Sequence, residues 1–262
     1  MPALAALSPV AASPGRSPSL AARRPGAVAL VCSSCAYLGD TALLTGASLV
    51  DLACMYVALT DAGVDVEIVS VGGGPVPVDP ASLAPGAPLK AASSALRRLA
   101  GDPAAQHQLA DTRSFVGLVP ADLAGVVFLG GRGAAWDLMF NAEAAALACA
   151  VAAAGGVVGA VGHGAAALVG GEGLVKGRSL TCYTNAEEDA DGGAALVPAL
   201  LESRLKGAGA VVTTSPVPGA PHAVRDGRCL VTGQNSASAP AVAKLVLEAL
   251  SGGVAGLSIW AV

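Results

Sequence analysis

Hydrophobic positions along the chain fall into short apolar runs that alternate with longer segments of helical periodicity. The run Ala27–Cys32 (AVALVC) predicts a buried strand, and the apolar stripe within Gly46–Ala62 predicts a helix that Gly63 ends. On the same grounds, further strands are predicted over Val66–Val71, Gly125–Leu129, Val157–Val161, Arg178–Cys182, Ala210–Thr213 and Arg228–Val231. Further helices are predicted over Leu89–Leu99, Ala142–Ala154, Ala165–Val169 and Ala239–Ala249, and a loop over Gly72–Pro88.

Strands alternate with helices through most of the chain, and this order is typical of a mostly parallel sheet covered by helices on both faces. Right-handed crossovers then give a doubly wound, flavodoxin-like α/β sandwich. In such sheets the ligand crevice lies beyond the carboxyl ends of the strands. The turns after Cys32, Leu129 and Val161 are therefore the places where we expect chemistry.

The composition limits the classes of protein to which the chain can belong. It has 262 residues, 53% of them hydrophobic and 3% aromatic, which suits one large domain with a core of Ala, Val and Leu. No apolar run reaches the ~20 residues that span a bilayer, so no membrane association is expected. The net charge of −4 and the lack of a Lys/Arg cluster argue against nucleic-acid binding. The six cysteines match no metal pattern and indicate a reducing, cytoplasmic compartment.

Residues 1–26 differ in composition from the rest of the chain. They are rich in Ala, Pro and Ser, they carry Arg16, Arg23 and Arg24, and they contain no acidic residue. A disordered leader or a mis-set start codon is the favoured interpretation, and an organelle transit peptide is the alternative. Residues 27–262 are predicted to form the folded domain.

The segment Gly159–Ala165 (GAVGHGA) combines the end of an apolar strand, a sharp turn and the start of a helix. This is the architecture of a nucleophile elbow, in which the turning residue lies at the crevice rim beside free helical N–H groups. The turning residue here is Gly162, which adopts a strained backbone conformation without cost but supplies no nucleophile. A plain strand–helix turn with a close-packing glycine is the alternative.

A second glycine-rich turn, Gly130-Gly131-Arg132-Gly133, follows the strand that ends at Leu129. Consecutive glycines let the backbone approach a ligand and direct N–H groups toward it. A guanidinium beside such a turn suits a carboxylate, a phosphate or an enolate. The alternative is an arginine that extends outward into solvent.

These two turns belong to a longer series of motifs. In chain order, the series is Thr45-Gly46 with Asp51, Gly130-Gly131-Arg132-Gly133 leading to Trp136-Asp137-Leu138, the elbow around Gly162, Leu174-Val175-Lys176-Gly177, Thr184-Asn185-Ala186-Glu187-Glu188, Val197-Pro198 and Val231-Thr232-Gly233-Gln234-Asn235. From Ala27 to Leu250 the chain thereby resembles the DJ-1/PfpI (ThiJ/PfpI) superfamily, and within it the glyoxalase-III-like, heat-shock-chaperone branch.

The resemblance implies a flavodoxin-like fold related to class I glutamine amidotransferases, a homodimer, and cofactor-free, metal-free chemistry on a small carbonyl compound. In this family an elbow cysteine attacks an α-oxoaldehyde with help from an acid on the first helix, and the neighbouring His pairs with a later carboxylate. Carried over to this chain, the cysteine position is Gly162, the acid is Asp51, the His is His163, and its partner is Glu187 or Glu188.

The resemblance also assigns binding roles. The oxyanion donors would be the backbone N–H groups of Gly131 and His163, and Arg132 stands where this branch usually has a His. Trp136 is expected to pack under the glycine loop and to border the substrate.

Without a thiol at the elbow, a thiohemiacetal cannot form there. The leading hypothesis is therefore a cofactor-independent enzyme that uses acid–base chemistry for hydrolysis, hydration or lysis next to the carbonyl of a small carbonyl or quinone-type metabolite, in keeping with specialised metabolism. A non-catalytic pseudoenzyme or holdase chaperone, and residual glyoxalase III-like activity, are the alternatives. A further option is that Cys32 or Cys35, a C-x-x-C pair after the first strand, replaces the nucleophile, although two buried, inert thiols are the favoured interpretation.

Overall fold

The computed structural model describes residues 26–253 and shows a seven-stranded sheet flanked by helices. The strands are β1 (Ala27–Cys32), β2 (Val66–Ser70), β3 (Arg113–Ser114), β4 (Leu123–Phe128), β5 (Val157–Val161), β6 (Ser179–Leu180), β7 (Val211–Val212), β8 (Ala223–Asp226) and β9 (Leu230–Gly233). The helices are α1 (Leu49–Asp61), α2 (Ala87–Gly101), α3 (Pro103–Ala110), α4 (Gly133–Asp137), α5 (Ala142–Ala153), α6 (Glu172–Val175), α7 (Asn185–Ala190), α8 (Leu201–Gly207) and α9 (Ala239–Gly253).

The main sheet has the strand order β3-β2-β1-β4-β5-β9-β8. Its neighbours are parallel except for β8, which pairs with β9 in the antiparallel sense. The short strands β6 and β7 form a separate two-stranded parallel sheet. The prediction of a doubly wound, mostly parallel sheet covered by helices is therefore confirmed.

Both faces of the sheet are buried, because successive side chains of a strand point to opposite faces. In β1, Val28 and Leu30 pack into a core cluster with residues of α1 and α9. Ala29 and Val31 pack into a second cluster on the other face, with residues of α5 and α8. All four side chains are fully buried. Burial on both sides explains why the central strands are continuous apolar runs in the sequence.

The segments after β5 differ from the prediction. The helix predicted over Ala165–Val169 is a 3₁₀ turn, Gly162–Leu168, because two glycines in its first three residues let it turn tightly against β4. The strands predicted over Arg178–Cys182 and Ala210–Thr213 contain two paired residues each and pair with one another outside the main sheet.

Several polar or short elements carry too little apolar pattern to be predicted. The edge strand β8 is half-buried along its length, and α3, α7 and α8 have at most eight residues each. The segment predicted as the loop Gly72–Pro88 contains the 3₁₀ turn Pro80–Leu83 and the start of α2. Apart from Gly26, the predicted leader lies outside the described residues. Within residues 26–253, the helices lack the combination of length and hydrophobicity that crossing a bilayer requires.

The backbone of the turn after β5 lies so close to the end of β4 that no side chain fits between them. A Cβ atom added at Gly164 would overlap the carbonyl group of Phe128. We therefore expect Gly164→Ala to lower the free energy of unfolding by about 3 kcal/mol, the upper part of the range for overpacking, because backbone atoms cannot rotate away. Urea unfolding measures this change.

The matched control is Gly101→Ala at the exposed end of α2, where an added Cβ meets no atom within 4 Å. That substitution should leave stability unchanged or raise it, because alanine favours the helix. Equal stabilities for the two variants would contradict this view of the β4–β5 junction.

Candidate functional site

A pocket of about 390 Å³ opens at the carboxyl edge of the sheet, beyond the ends of β4 and β5. The predicted residues that line it are Asp51, Gly131, Arg132, Gly162, His163 and Glu187. Additional lining residues include Ser48, Asp79, Tyr183, Asp191, Asn235 and Ser236. The structure thus gathers these residues from six separate segments of the chain at the place where the topology predicts a crevice.

Asp51 lies in the first turn of α1, whose N-terminus is capped by the hydroxyl of Ser48. Its carboxyl is 1% exposed, and Oδ2 accepts the backbone N–H of Gly130 at 3.1 Å. Oδ1 accepts no hydrogen bond of good geometry from the described residues, although the hydroxyls of Ser48 and Ser236 lie beside the carboxyl. Burial raises the pKa of Asp51 to about 6, and the neighbouring hydroxyls offset part of that effect.

His163 follows Gly162 at the end of β5 and is held on two sides. Its Nε2 lies 2.6 Å from Oε1 of Glu188, and its ring stacks on Tyr183 with centroids 4.3 Å apart. Both members of the His163–Glu188 pair are buried, so a charge on one is compensated mainly by the other.

Of the two adjacent glutamates that the sequence left open, Glu188 contacts His163 and Glu187 does not. One oxygen of Glu187 accepts Asn235 Nδ2 at 2.6 Å and Gly219 N at 3.0 Å. The other accepts the N–H and the hydroxyl of Thr184, which completes a capping box at the start of α7. Glu187 therefore ties three loops together at the rim of the pocket.

The guanidinium of Arg132 points toward acidic side chains and not into bulk solvent. Its Nη2 lies 2.6 Å from Oδ2 of Asp191 and 3.5 Å from Oε2 of Glu188. The Tyr183 hydroxyl donates to the same Asp191 oxygen at 2.7 Å. Arg132 and His163 are thus linked through Glu188, and the charge of the guanidinium is balanced before any ligand binds.

The glycine loop after β4 turns two of its N–H groups toward carboxylates. Gly130 N donates to Asp51, and Arg132 N donates to Oδ2 of Asp79 at 2.7 Å. Gly131 lies between them at φ +100°, and a Cβ there would overlap the backbone carbonyl of Gly46. Its own N–H has no acceptor among the described residues, which leaves it available to a ligand.

Asp79 is a site residue that the sequence analysis missed, because it lies in a segment predicted to be a loop. It is 5% exposed, and it also accepts the hydroxyl of Thr45 at 3.2 Å and the N–H of Ala81 at 2.9 Å. The signal for it was local: an aspartate before Pro80 is typical of the N-cap of a helical turn.

Gly162 has the positive φ expected of an elbow, at +54°. A Cβ at this position would make only ordinary van der Waals contacts, with Asn235 Cα at 3.8 Å and Gln234 O at 3.9 Å. The elbow therefore has room above it for a small side chain or for part of a ligand.

Trp136 does not border the pocket as predicted. Its indole N–H donates to Leu196 O at 3.0 Å, and its ring packs against Gly39, so it joins two loops behind the site. Trp136 is absent from the pocket lining because its ring and its indole N–H are both engaged by these two loops.

The C-x-x-C thiols also lie outside the pocket lining. Cys32 is fully buried and burial raises its pKa to about 12, while Cys35 donates to Tyr37 O at 3.0 Å. Both are free thiols, and Asp137 holds the turn between them by accepting the N–H groups of Ser34 and Cys35. A protonated thiol is a poor nucleophile, so this pair does not replace one at the elbow.

Within residues 26–253, no three His, Cys, Asp or Glu side chains are arranged to hold a metal ion. The groups that the pocket offers to a ligand include the Asp51 carboxyl, the His163 imidazole, the Gly131 N–H, the hydroxyls of Ser48 and Ser236, and the unpaired Nε of Arg132. Such a set can remove a proton, return a proton and bind a developing oxyanion.

Comparison with known proteins agrees with this architecture. The Rapid Encystment Protein 24 kDa of Francisella tularensis is 27% identical, with a TM-score of 0.78 over 86% of this chain and 99% of that chain. Glyoxalase III from Candida albicans is 24% identical, with a TM-score of 0.70 over 86% of this chain and 97% of that chain. No curated protein matches the sequence significantly. The model of the DJ-1/PfpI family matches residues 41–249, and the chain therefore belongs to the DJ-1/PfpI family.

Proposed function

We propose that this protein is a cofactor-independent enzyme that uses acid–base chemistry on a small carbonyl or quinone-type compound, without a cysteine nucleophile. The observation that carries the proposal is that the Asp51 carboxyl and the His163 imidazole line one pocket together with the open glycine elbow at Gly162. The two groups are close enough for the charge of His163 to lower the pKa of Asp51, against the larger effect of burial.

The proposed mechanism has no covalent intermediate because the residue at the elbow, Gly162, carries no nucleophilic side chain. We assign Gly162 to the position that the catalytic cysteine occupies in other members of the family. Because glycine has no thiol, no thiohemiacetal forms at that site. The space above Gly162 would then be occupied by the substrate itself. Hydrolysis, hydration or lysis next to the carbonyl are the reaction classes that need only proton transfer and oxyanion binding.

Asp51 is suited to act as the general base. A carboxyl group with a pKa of about 6 is mostly ionised at neutral pH and is a stronger base than an ordinary aspartate. It would take a proton from the substrate or from a water molecule, and the carbonyl oxygen would gain negative charge beside the N–H of Gly131. His163 would donate a proton to the leaving group or to the substrate atom that gains a hydrogen, while Glu188 fixes the orientation of the His163 ring.

Arg132 has a different role from the one its position in the sequence suggested. It contacts Asp191 and Glu188, so we assign it to positioning of the Glu188 carboxylate and not to direct binding of an oxyanion. A guanidinium beside Glu188 helps to hold that carboxylate against the ring of His163.

The first test is Asp51→Asn, assayed with the carbonyl compound that the wild-type protein turns over in a screen of aldehydes, ketones and quinones. Loss of a general base should lower kcat/KM by at least about 100-fold. The wild-type rate should rise with pH around a midpoint near 6, because the base acts only when deprotonated. An unchanged kcat/KM in the variant would remove Asp51 from the mechanism, and a wild-type protein without any turnover would favour the pseudoenzyme or chaperone alternative.

A second test compares two neighbouring substitutions, Glu188→Gln and Glu187→Gln. Glu188→Gln removes the charge that faces His163, so kcat should fall by about 10-fold or more, with some loss of stability because Arg132 loses a buried partner. Glu187→Gln disturbs the buried contacts with Asn235 and Gly219, so it should cost about 1–3 kcal/mol of unfolding free energy and leave kcat near the wild-type value. The reverse pattern would contradict the assignment of roles.

A third test restores the missing thiol with Gly162→Cys. The side chain has room, and the positive φ should cost about 1–2 kcal/mol of stability. The variant should gain an iodoacetamide-reactive thiol and glyoxalase turnover of methylglyoxal that the wild-type protein lacks. Gly162→Ser, which carries the same strain without the thiol, is the control. A wild-type protein that converts methylglyoxal as fast as the cysteine variant would support residual glyoxalase III-like activity instead.

A further inference from the structure

The pocket wall is strongly acidic. Four carboxylates line it, those of Asp51, Asp79, Glu187 and Asp191, and a fifth, that of Glu188, is bonded to two of the lining side chains. Among the described lining residues, Arg132 is the one lysine or arginine. A negative wall with a single guanidinium repels anions, and the effect is strong because these groups are largely removed from solvent.

The guanidinium does not offset this repulsion for a ligand. Its Nη2 is paired with Asp191 and lies near Glu188, so two carboxylates already share its charge. Its buried Nε has no acceptor among the described residues, so it can donate to an oxygen of a ligand, but it adds no charge. A phosphate or a carboxylate at Nη2 would have to displace one of the partners, and one at Nε would still face the acidic wall. Arg132 therefore does not form the anion site that its place in the glycine turn suggested.

The hydrogen bonds of the five carboxylates show where a ligand can bind instead. Both oxygens of Glu187, Glu188, Asp79 and Asp191 have protein partners. Asp51 differs, because its Oδ1 accepts no hydrogen bond of good geometry from the described residues, although the hydroxyls of Ser48 and Ser236 lie beside the carboxyl. An ionised carboxylate oxygen that is buried and unpaired is costly, and a hydroxyl or amino group of a ligand would satisfy it.

The hydroxyls beside this carboxyl extend the same binding surface. Ser48 Oγ and Ser236 Oγ lie 3.1 Å apart, and both residues line the pocket next to Asp51. Each hydroxyl can donate or accept, so the three side chains can bind a polar but uncharged group. The N–H of Gly131 supplies the matching donor for a carbonyl oxygen.

We propose that the pocket selects carbonyl compounds that carry a hydroxyl or amino group next to the carbonyl and no anionic group. The hydroxyl or amino group binds at Asp51, Ser48 and Ser236, and the carbonyl oxygen binds at the N–H of Gly131. Phosphorylated and carboxylated compounds of the same size are excluded. This inference rests on the proposed function for the location of the site, but it concerns binding and does not require turnover.

The test uses hydroxyacetone and hydroxyacetone phosphate, which share a carbon skeleton and differ in charge. Dissociation constants are measured at low ionic strength by ligand-observed NMR on the wild-type chain. Hydroxyacetone should bind at least about 10-fold more tightly than its phosphate ester, and added salt should narrow the difference because it screens the wall. Equal or tighter binding of the phosphate ester, or failure of hydroxyacetone to bind, would overturn the proposal.

A charge variant separates the pocket wall from the net charge of the protein. Asp191→Asn removes one wall charge and frees Arg132, so binding of the phosphate ester should tighten by about 3-fold or more while binding of hydroxyacetone changes by less than about 2-fold. The control is Asp65→Asn, which removes the same charge from an exposed turn at the amino end of β2 and should alter neither constant. Equal effects of the two variants on binding of the phosphate ester would contradict the idea that the acidic pocket wall repels anionic ligands.

The outcomes also distinguish this inference from the proposed function. Selective binding without turnover of any carbonyl compound would support the proposed selectivity and contradict the proposed enzymatic function. Turnover restricted to anionic substrates would support the enzymatic function and contradict the selectivity.

Discussion

The hydrogen bond from Gly130 N to Oδ2 of Asp51 joins the first turn of α1 to the glycine loop after β4, and the rest of the site depends on it. It fixes a carboxyl group that is almost wholly removed from solvent, with its second oxygen unpaired. Desolvation raises the pKa of that carboxyl toward neutrality, which is the range a general base needs. The same contact keeps Gly130 and Gly131 close to α1, with room for no side chain between them.

A second set of contacts sets the charge state of the opposite wall. His163 binds Glu188, Glu188 lies near Arg132, and Arg132 and Tyr183 share the carboxylate of Asp191. Because each charged group in this network has a partner of opposite charge, the network can remain buried beside a pocket. Among the described lining residues, Arg132 is the one lysine or arginine, and its charge is already shared by Asp191 and Glu188. This arrangement connects the structure of the wall to the class of compound that we propose it binds.

Much of the scaffold could be predicted from the sequence, because a sheet buried on both faces is encoded by continuous apolar runs. The predicted strand Val157–Val161 and the start of β1 at Ala27 agree with the structure to the residue. His163 could be placed at the pocket because it follows the turn after a strand at the carboxyl edge, whereas Asp51 was assigned to the site by the family resemblance. The sequence predicted strands at the positions of β6 and β7, but it could not predict their pairing outside the main sheet or the polar edge strand β8. Both features depend on tertiary contacts and not on an apolar pattern.

The site was less predictable than the fold, because side-chain partners depend on rotations that periodicity does not specify. Glu187 and Glu188 are adjacent on a six-residue helix, so nothing in the sequence decides which one turns toward His163. Asp191 lies beyond that helix in an irregular segment, and its pairing with Arg132 changes the meaning of the arginine.

The central claim is that Asp51 titrates near neutrality and acts as the base of the site. The most direct measurement is a pH titration of the aspartate carboxyl carbons by NMR on the ¹³C-labelled chain, with the Asp51 resonance assigned by its loss in the asparagine variant. The account predicts a midpoint near 6, about two units above an ordinary aspartate. A midpoint near 4 would contradict it, because the carboxyl would then be a weak, solvated base with no special role.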